Sequence, residues 1–333
     1  MSTTSEQIAR YAIGIDIGGT NTKFGIVDTR GDILYRGAIS TRKHEDVADF
    51  IDELYEAILP AIETVGGSTY IKGIGVGAPN GNYYKGTVEY APNLSWKGIV
   101  PLANLIKEKF GFPAWLTNDA NAAAVGEMMY GAARGMRDFI MITLGTGVGS
   151  GIVANGQLIY GHDGFAGELG HTIIIPGGRY HTGTGAHGSL EAYASATGMR
   201  NTALELLRER PNTESLLRKF TEEELESHHI HECALQGDPI ALEVFTYTGK
   251  ILGMALANFV MFSSPEAIIF FGGPTKAGDM LMNPVRESME ANLLPIFKNK
   301  VKLLYSLLKE SDAAILGASA LVWENRSAKE IVG

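Results

Sequence analysis

The chain has 333 residues, more than one hydrophobic core usually serves, so two domains are expected. Its net charge of −9 argues against a nucleic-acid or anionic-membrane surface, yet leaves phosphate binding open, because backbone N–H groups and a cation can supply a positive field. Cys233 is the only cysteine, which excludes an intrachain disulfide and leads us to expect a reducing, cytoplasmic compartment.

Residues 1–10 are polar and carry no apolar core, so no signal peptide is expected. Two short strands follow in Ile13–Asp28, where Ile13, Ile15 and Ile17, then Phe24, Ile26 and Val27, carry the apolar pattern. The turn between them holds Gly18, Gly19, Thr20, Asn21, Thr22 and Lys23. Glycines let the backbone bend tightly and bring N–H groups close to a ligand, and the threonine hydroxyls add donors. A row of donors in a tight turn is an anion cradle. Asp16 precedes it, and a carboxylate beside bound phosphate needs a cation between them, which suggests Mg²⁺.

Ile33–Thr41 reads as a third strand and Glu45–Glu63 as an amphipathic helix, with Pro60 expected to kink or end it. Ile71–Gly77 reads as a buried strand ending in a turn. Strand, helix, strand is the grammar of an α/β layer. In the polar loop Tyr90–Gly98, Asn93 and Trp96 either border a ligand or pack the loop. Leu102–Phe110 reads as a helix, and Pro113–Thr117 as a strand running into Asn118, Asp119 and a helix start. Asp119 there is either a helix N-cap or a catalytic group, since strand ends in α/β folds carry both.

Gly145, Thr146 and Gly147 begin a second hairpin after the apolar strand Phe139–Thr143. One constant offset of 126 lays Gly145 on Gly19, Thr146 on Thr20 and Val153 on Val27. Two copies of one unusual hairpin point to two related half-domains, and two phosphate hairpins are what a nucleoside triphosphate needs. Further on come Glu168 and His171 in a glycine-rich loop, an expected strand Thr172–Ile175, and Glu191. Asn201–Cys233 reads as helical and charged, Asp238–Phe262 as a long helix, and Ala267–Phe271 as a buried strand ending at Gly272 and Gly273. The most apolar run, Ile251–Ser263, is too short to span a bilayer, so no membrane is expected. Met280–Leu293 reads as a helix, Val301–Leu307 as a strand, and Ala313–Val322 as a small-residue helix.

The paired hairpins resemble the actin, sugar kinase and heat-shock ATPase superfamily. Asn118–Ala124, Glu168-Leu-Gly-His171 and Gly188–Tyr193 narrow the resemblance to the ROK family of bacterial sugar kinases and repressors, from about Tyr11 to Trp323. It implies a two-domain α/β fold of the actin-like ATPase (ribonuclease H-like) type, with ATP and sugar in the interdomain cleft. The first domain is expected over 1–125 plus about 313–333, the second over 126–312. Asp119 is implied as the base that accepts the proton of the sugar's primary hydroxyl. Asn93, Asn118, Asp119, Glu168, His171 and Glu191 are implied at the sugar. Gly18, Gly19, Thr20, Asn21, Thr22, Lys23, Gly145, Thr146 and Gly147 are placed at the phosphates, Gly272 and Gly273 at the adenosine, and Asp16 at Mg²⁺. The resemblance further implies a homodimer, with glucose as the default sugar.

The sequence departs from the family at one point. The usual pattern has three cysteines that join the histidine in a structural zinc site, whereas Gly178–Ser189 contains none and is one residue longer. His181 and His187 remain, but two imidazoles in a glycine loop are a poor zinc set, so zinc is expected to be absent. Only about ten residues precede the first hairpin, too few for the DNA-binding domain of a repressor, so a kinase is expected.

Overall fold

The computed structural model describes residues 9–330, and side chains to Glu324. Its contacts divide into two compact units: Met1–Gly135 with Leu158–Ala166 and Leu307–Gly333, and Met136–Gln157 with Gly167–Ser306.

The first unit opens with β1 (Tyr11–Ile17), β2 (Asn21–Asp28) and β3 (Ile33–Ser40), an antiparallel meander, followed by α1 (Val47–Thr64). Asp46 caps α1 by accepting the Ala48 amide, and Phe50, Ile51, Leu54 and Ile58 form its buried stripe. Pro60 does not end this helix, which runs on to Thr64. The proline sits on the exposed face, where the carbonyl it leaves unbonded reaches water. Next come β4 (Ile71–Gly77), the short strands β5 (Gly81–Asn82), β6 (Thr87–Glu89) and β7 (Ile99–Val100), then α2 (Leu102–Phe110), β8 (Ala114–Thr117) and α3 (Asp119–Tyr130). The main sheet has the order β3-β2-β1-β4-β8, with β1, β4 and β8 parallel.

The second unit repeats this plan. It contains β9 (Phe139–Leu144), β10 (Val148–Ala154), β11 (Gln157–Leu158), the two-residue strands β12 (Tyr180–His181) and β13 (Ala186–His187), α4 (Glu191–Ala194), α5 (Ala196–Glu209), α6 (Ser227–Leu235), α7 (Pro239–Ser263), β14 (Ala267–Phe271), α8 (Asp279–Asn292) and β15 (Lys302–Tyr305). Its sheet order is β11-β10-β9-β14-β15, the same pattern of an antiparallel hairpin beside parallel strands.

Three sequence expectations are corrected here. Thr172–Ile175 forms no strand; only Ile173 makes a lone bridge, to Ser189. The Ile174 and Ile175 amides both bond to the single carbonyl of Gly188, so no ladder extends. Asn201–Cys233 is not one helical stretch, because Pro211 follows the C-cap of α5, Arg210, and α-helix resumes only at Ser227, after a single 3₁₀ turn at Leu216–Lys219. The run Ile251–Ser263 belongs to a 25-residue helix, α7, long and apolar enough to cross a membrane. Two-thirds of its apolar window is buried inside the protein, packed largely against α8, and this makes it a core helix.

The chain closes the first unit with α9 (Ala313–Glu330), which lies on β1, β4 and α3. Its fit is backbone to backbone. A Cβ on Gly14 or Gly75 of the sheet would strike the carbonyls of Ile315 or Ala318, and one on Gly317 would strike that of Ala122. This close packing fixes α3, and with it the helix start that carries Asp119.

Candidate functional site

In the first unit the parallel strands bring the carboxylates together. Asp16 pairs in register with Gly77 on β4, and Gly77 with Thr117 at the end of β8. Asp119 follows two residues later as the first residue of α3. A Cβ on Gly77 would sit 3.8 Å from both the Asp119 Cα and the Asp16 Oδ1, so the glycine lies between the two acids. The N-cap is Asn118, whose Oδ1 accepts the Asn121 amide at 2.7 Å. Asp119 is thereby released from capping; its Oδ1 takes the adjacent Ala120 amide, at 2.8 Å.

Both acids hold their protons more tightly than ordinary carboxyls. Asp16 is pushed up to about 6, first by burial and second by the charge of Asp119, with Lys23 pulling it back. Asp119 is open to water on one side but crowded by protein on the others, and that crowding raises it. The Ala120 amide and its own amide work the other way.

The turn Gly18–Thr20 above Asp16 is closed by the Gly18 amide on the Asn21 carbonyl at 3.0 Å. Thr20, Asn21 and Lys23 are exposed around it. Thr22 does not fit the sequence expectation. It is fully buried, and its hydroxyl meets that of Thr41 at 2.7 Å, so it braces the turn from beneath and no ligand reaches it. Asn93 is exposed and its carbonyl lies against Gly19, which places it at the turn. Trp96 is the packing residue of its loop, 5% exposed and 4.6 Å from the Phe50 ring.

The second unit carries the other hairpin. Strand pairing shows that a constant offset does not cross its tip. Ile17 faces Thr22 in the first hairpin and Leu144 faces Val148 in the second, so offset 127 holds before the turn and 126 after it. The second turn is one residue shorter, with Thr146 at its tip and the Gly145 amide on the Gly147 carbonyl at 2.9 Å. Thr143 therefore stands where the first hairpin has Asp16, and the repeat has one carboxylate, not two. Beyond β14, Gly272 has φ 112° and approaches Leu144 so closely that a Cβ would strike its carbonyl; Gly273 is open.

Glu168 precedes and His171 ends a single 3₁₀ turn, Leu169–His171, with Glu168 Oε2 and His171 Nε2 3.7 Å apart. Ser150 of β10 holds this loop, donating to the Gly167 carbonyl and accepting the Leu169 amide. The His171 ring lies 6.4 Å from that of His181. His181 Nε2 is 3.1 Å from Glu191 Oε1, and Glu191 Oε2 accepts the Val148 amide of the second hairpin at 2.7 Å. Glu168, His171 and Glu191 thus lie in one polar cluster that ends at the turn of the second hairpin. Among the described residues, no group of three or more His, Cys, Asp or Glu side chains is arranged to hold a metal ion.

Sequence reasoning missed two residues here. One is His181, considered only as a metal ligand. The other is Arg179, whose Nη2 is 2.6 Å from Glu205 Oε2 and 3.0 Å from the Thr202 hydroxyl, and whose guanidinium lies 4.6 Å from the centre of the Tyr193 ring. The Arg179 amide also donates to the Tyr193 hydroxyl, at 2.6 Å. Partners so far away in sequence leave no local signal.

These sheets and this polar cluster are those of a sugar kinase-like α/β protein, and comparison with known proteins agrees. The ROK family model matches residues 12–325, and the chain belongs to the ROK family. It is 35% identical to a glucokinase of Halalkalibacterium halodurans, over 96% of this chain and 97% of the relative. It is 30% identical to a xylose repressor of Bacillus spizizenii, over 95% of this chain but 78% of the repressor. Among solved structures, a ROK family glucokinase from Streptomyces griseus in complex with glucose and AMPPNP superposes with a TM-score of 0.77 at 33% identity, covering 94% of this chain and 99% of that one.

Proposed function

We propose that this chain is an ATP-dependent hexose kinase that transfers the γ-phosphoryl group to the 6-hydroxyl of glucose. The observation that carries the reading is Asp119: a carboxylate released from helix capping, open to solvent, beside Asp16 at the ends of parallel strands. A repressor needs no base there, so Asp119 favours the glucokinase relatives over the xylose repressors.

The 6-hydroxyl oxygen attacks the γ-phosphorus, Asp119 takes its proton, and the bond from phosphorus to the β–γ bridging oxygen breaks to release ADP. A raised pKa suits Asp119 to that task, since it increases the carboxylate's appetite for a proton. Glu168 and Glu191 accept sugar hydroxyl protons, His171 and the amide of Asn118 add further bonds, and Asn93 borders the sugar. The turns at Gly18–Thr20 and Gly145–Gly147, with Asn21 and Lys23, bind the phosphates, and Gly272 and Gly273 give the adenosine a bare backbone. Asp16 fits a Mg²⁺ ion, because burial and Asp119 both oppose its charge and a divalent cation would relieve both. A single carboxylate suffices where the nucleotide phosphates and water supply the other oxygens. When bound, Mg²⁺ neutralises charge on the phosphates. The same reading has the protein act in the cytoplasm as a homodimer, without nucleic acid or membrane, a view that the family and the net charge of −9 support.

A panel of glucose, mannose, fructose, N-acetylglucosamine and N-acetylmannosamine with ATP, read by coupled detection of ADP, tests this. Glucose should give the highest kcat/KM; a preference for an N-acylated sugar, or no turnover with any, would overturn the assignment.

A further inference from the structure

His181 is not among the residues given a role above, yet it touches one of them. Its Nε2 lies 3.1 Å from Glu191 Oε1, and its Nδ1 3.0 Å from the Thr184 hydroxyl. One neutral tautomer satisfies both contacts, with Nε2–H donating to the carboxylate and Nδ1 accepting from the threonine. The imidazole is only 23% exposed and Glu191 only 14%, so the bond is sheltered from competing water.

Glu191 needs such a partner. It stands in a helix of four residues, Glu191–Ala194, whose N-cap makes no side-chain bond. Its other oxygen accepts the Val148 amide at 2.7 Å, and a Cβ on Gly147 would strike the carboxylate. Two acceptor sites of the carboxylate are therefore occupied by His181 and Val148, one on each oxygen. A carboxylate offers about four, which leaves one on each oxygen for ligand hydroxyls.

His181 is itself held in place. It ends β12, which pairs with β13, and the strand is anchored by Arg179 to Glu205, Thr202 and Tyr193. The His187 Nδ1 lies 3.1 Å from the Gly178 carbonyl, which closes the other side of the loop.

We propose that His181 is a positioning residue that fixes the Glu191 carboxylate and thereby couples the sugar pocket to the second phosphate turn. This rests on the reading of Glu191 as a sugar ligand. With His181 removed, Glu191 can turn about its Val148 bond; the sugar hydroxyls then lose an aligned acceptor and the turn loses its brace. Sugar and nucleotide should suffer together, although His181 contacts neither.

The test is a double-mutant cycle on the intact protein, with glucose and Mg²⁺·ATP as substrates. His181→Ala should raise the KM for glucose by about 10–100-fold and that for ATP by a smaller factor, the range expected when one hydrogen bond to a charged group is lost. His181→Gln keeps an N–H donor at the Nε2 position and should recover most of the loss, which a merely space-filling role would not allow. Glu191→Gln should raise the glucose KM by itself, and adding His181→Ala to it should cost less than about twofold more, since His181 acts through Glu191. Additive losses, equal losses in the Ala and Gln variants, or KM values within twofold of wild type in His181→Ala would overturn the proposal and leave the sugar role of Glu191 standing. An unchanged glucose KM in Glu191→Gln would instead overturn that role, and the coupling with it. Thermal melting of every variant, with His181→Gln as the conservative member, separates misfolding from mispositioning.

Discussion

Two neighbouring residues at the end of the first sheet, Asn118 and Asp119, show how one position decides between structure and chemistry. Asn118 takes the capping bond to Asn121, and its neighbour Asp119 is left with the local amides of Ala120 and of its own residue. Sequence alone could not assign these duties, because both residue types cap helices well. Asp119→Ala should lower kcat by at least about 10²-fold while glucose binding by titration changes little, as expected for loss of a general base. A variant keeping more than about a tenth of wild-type turnover would remove Asp119 from that role. Thr22, placed at the phosphates by the sequence reading, could have been read as buried: it alternates with Phe24 and Ile26, so period-two geometry puts it on their inward face, where the structure finds it. Asp16 gives a pH signature. Its folded pKa, about 6, lies above the ordinary 3.8, so this group makes the free protein less stable as pH rises between those values. Cation binding needs the ionised form, so affinity for Mg²⁺·ATP should fall about tenfold per unit below pH 6. Asp119→Asn removes the like charge and should move that onset to lower pH in a binding titration; an unchanged onset would show that Asp119 does not act on Asp16.

At the scale of elements, the two hairpins were readable because an apolar strand, a glycine turn and a second apolar strand occur twice. Their tips were not. A one-residue difference in turn length is invisible in a gapless comparison, and only strand pairing reveals it. Thr20 and Thr146 are exposed at these tips. Changing both to Val should raise the Kd for ATP with little effect on that for glucose; the reverse result would contradict the use of two hairpins for one nucleotide. The loop of Gly178–His187 was harder to read. Its order rests on Arg179 and on a pair of two-residue strands, and nothing local in a glycine-rich stretch announces either. Arg179→Lys should lower the melting temperature by several degrees, because an ammonium cannot reproduce the paired contact with Glu205. Prolonged chelation with Mg²⁺ restored should leave both melting temperature and activity unchanged. Activity regained only on addition of zinc would mean that His171, His181 and His187 hold a metal after all.

Across the whole molecule, each unit carries the same sheet order and a different chemical part. The first unit has the two acids, the second the Glu168, His171 and Glu191 cluster, and each has one glycine turn. The repeat was legible because both halves bury similar apolar strands. The proposed division of labour comes only from family motifs, since bare pattern gives Asp119 two readings and Glu191 none. The central claim is the transfer of a phosphoryl group to carbon 6 of glucose, and ³¹P NMR of the wild-type protein with ATP, Mg²⁺ and glucose tests it most directly. The account predicts that the γ-phosphate signal of ATP is replaced by a phosphomonoester signal split by the two protons on carbon 6, in step with ADP. A signal split by a single proton, inorganic phosphate alone, or ATP left intact would contradict it.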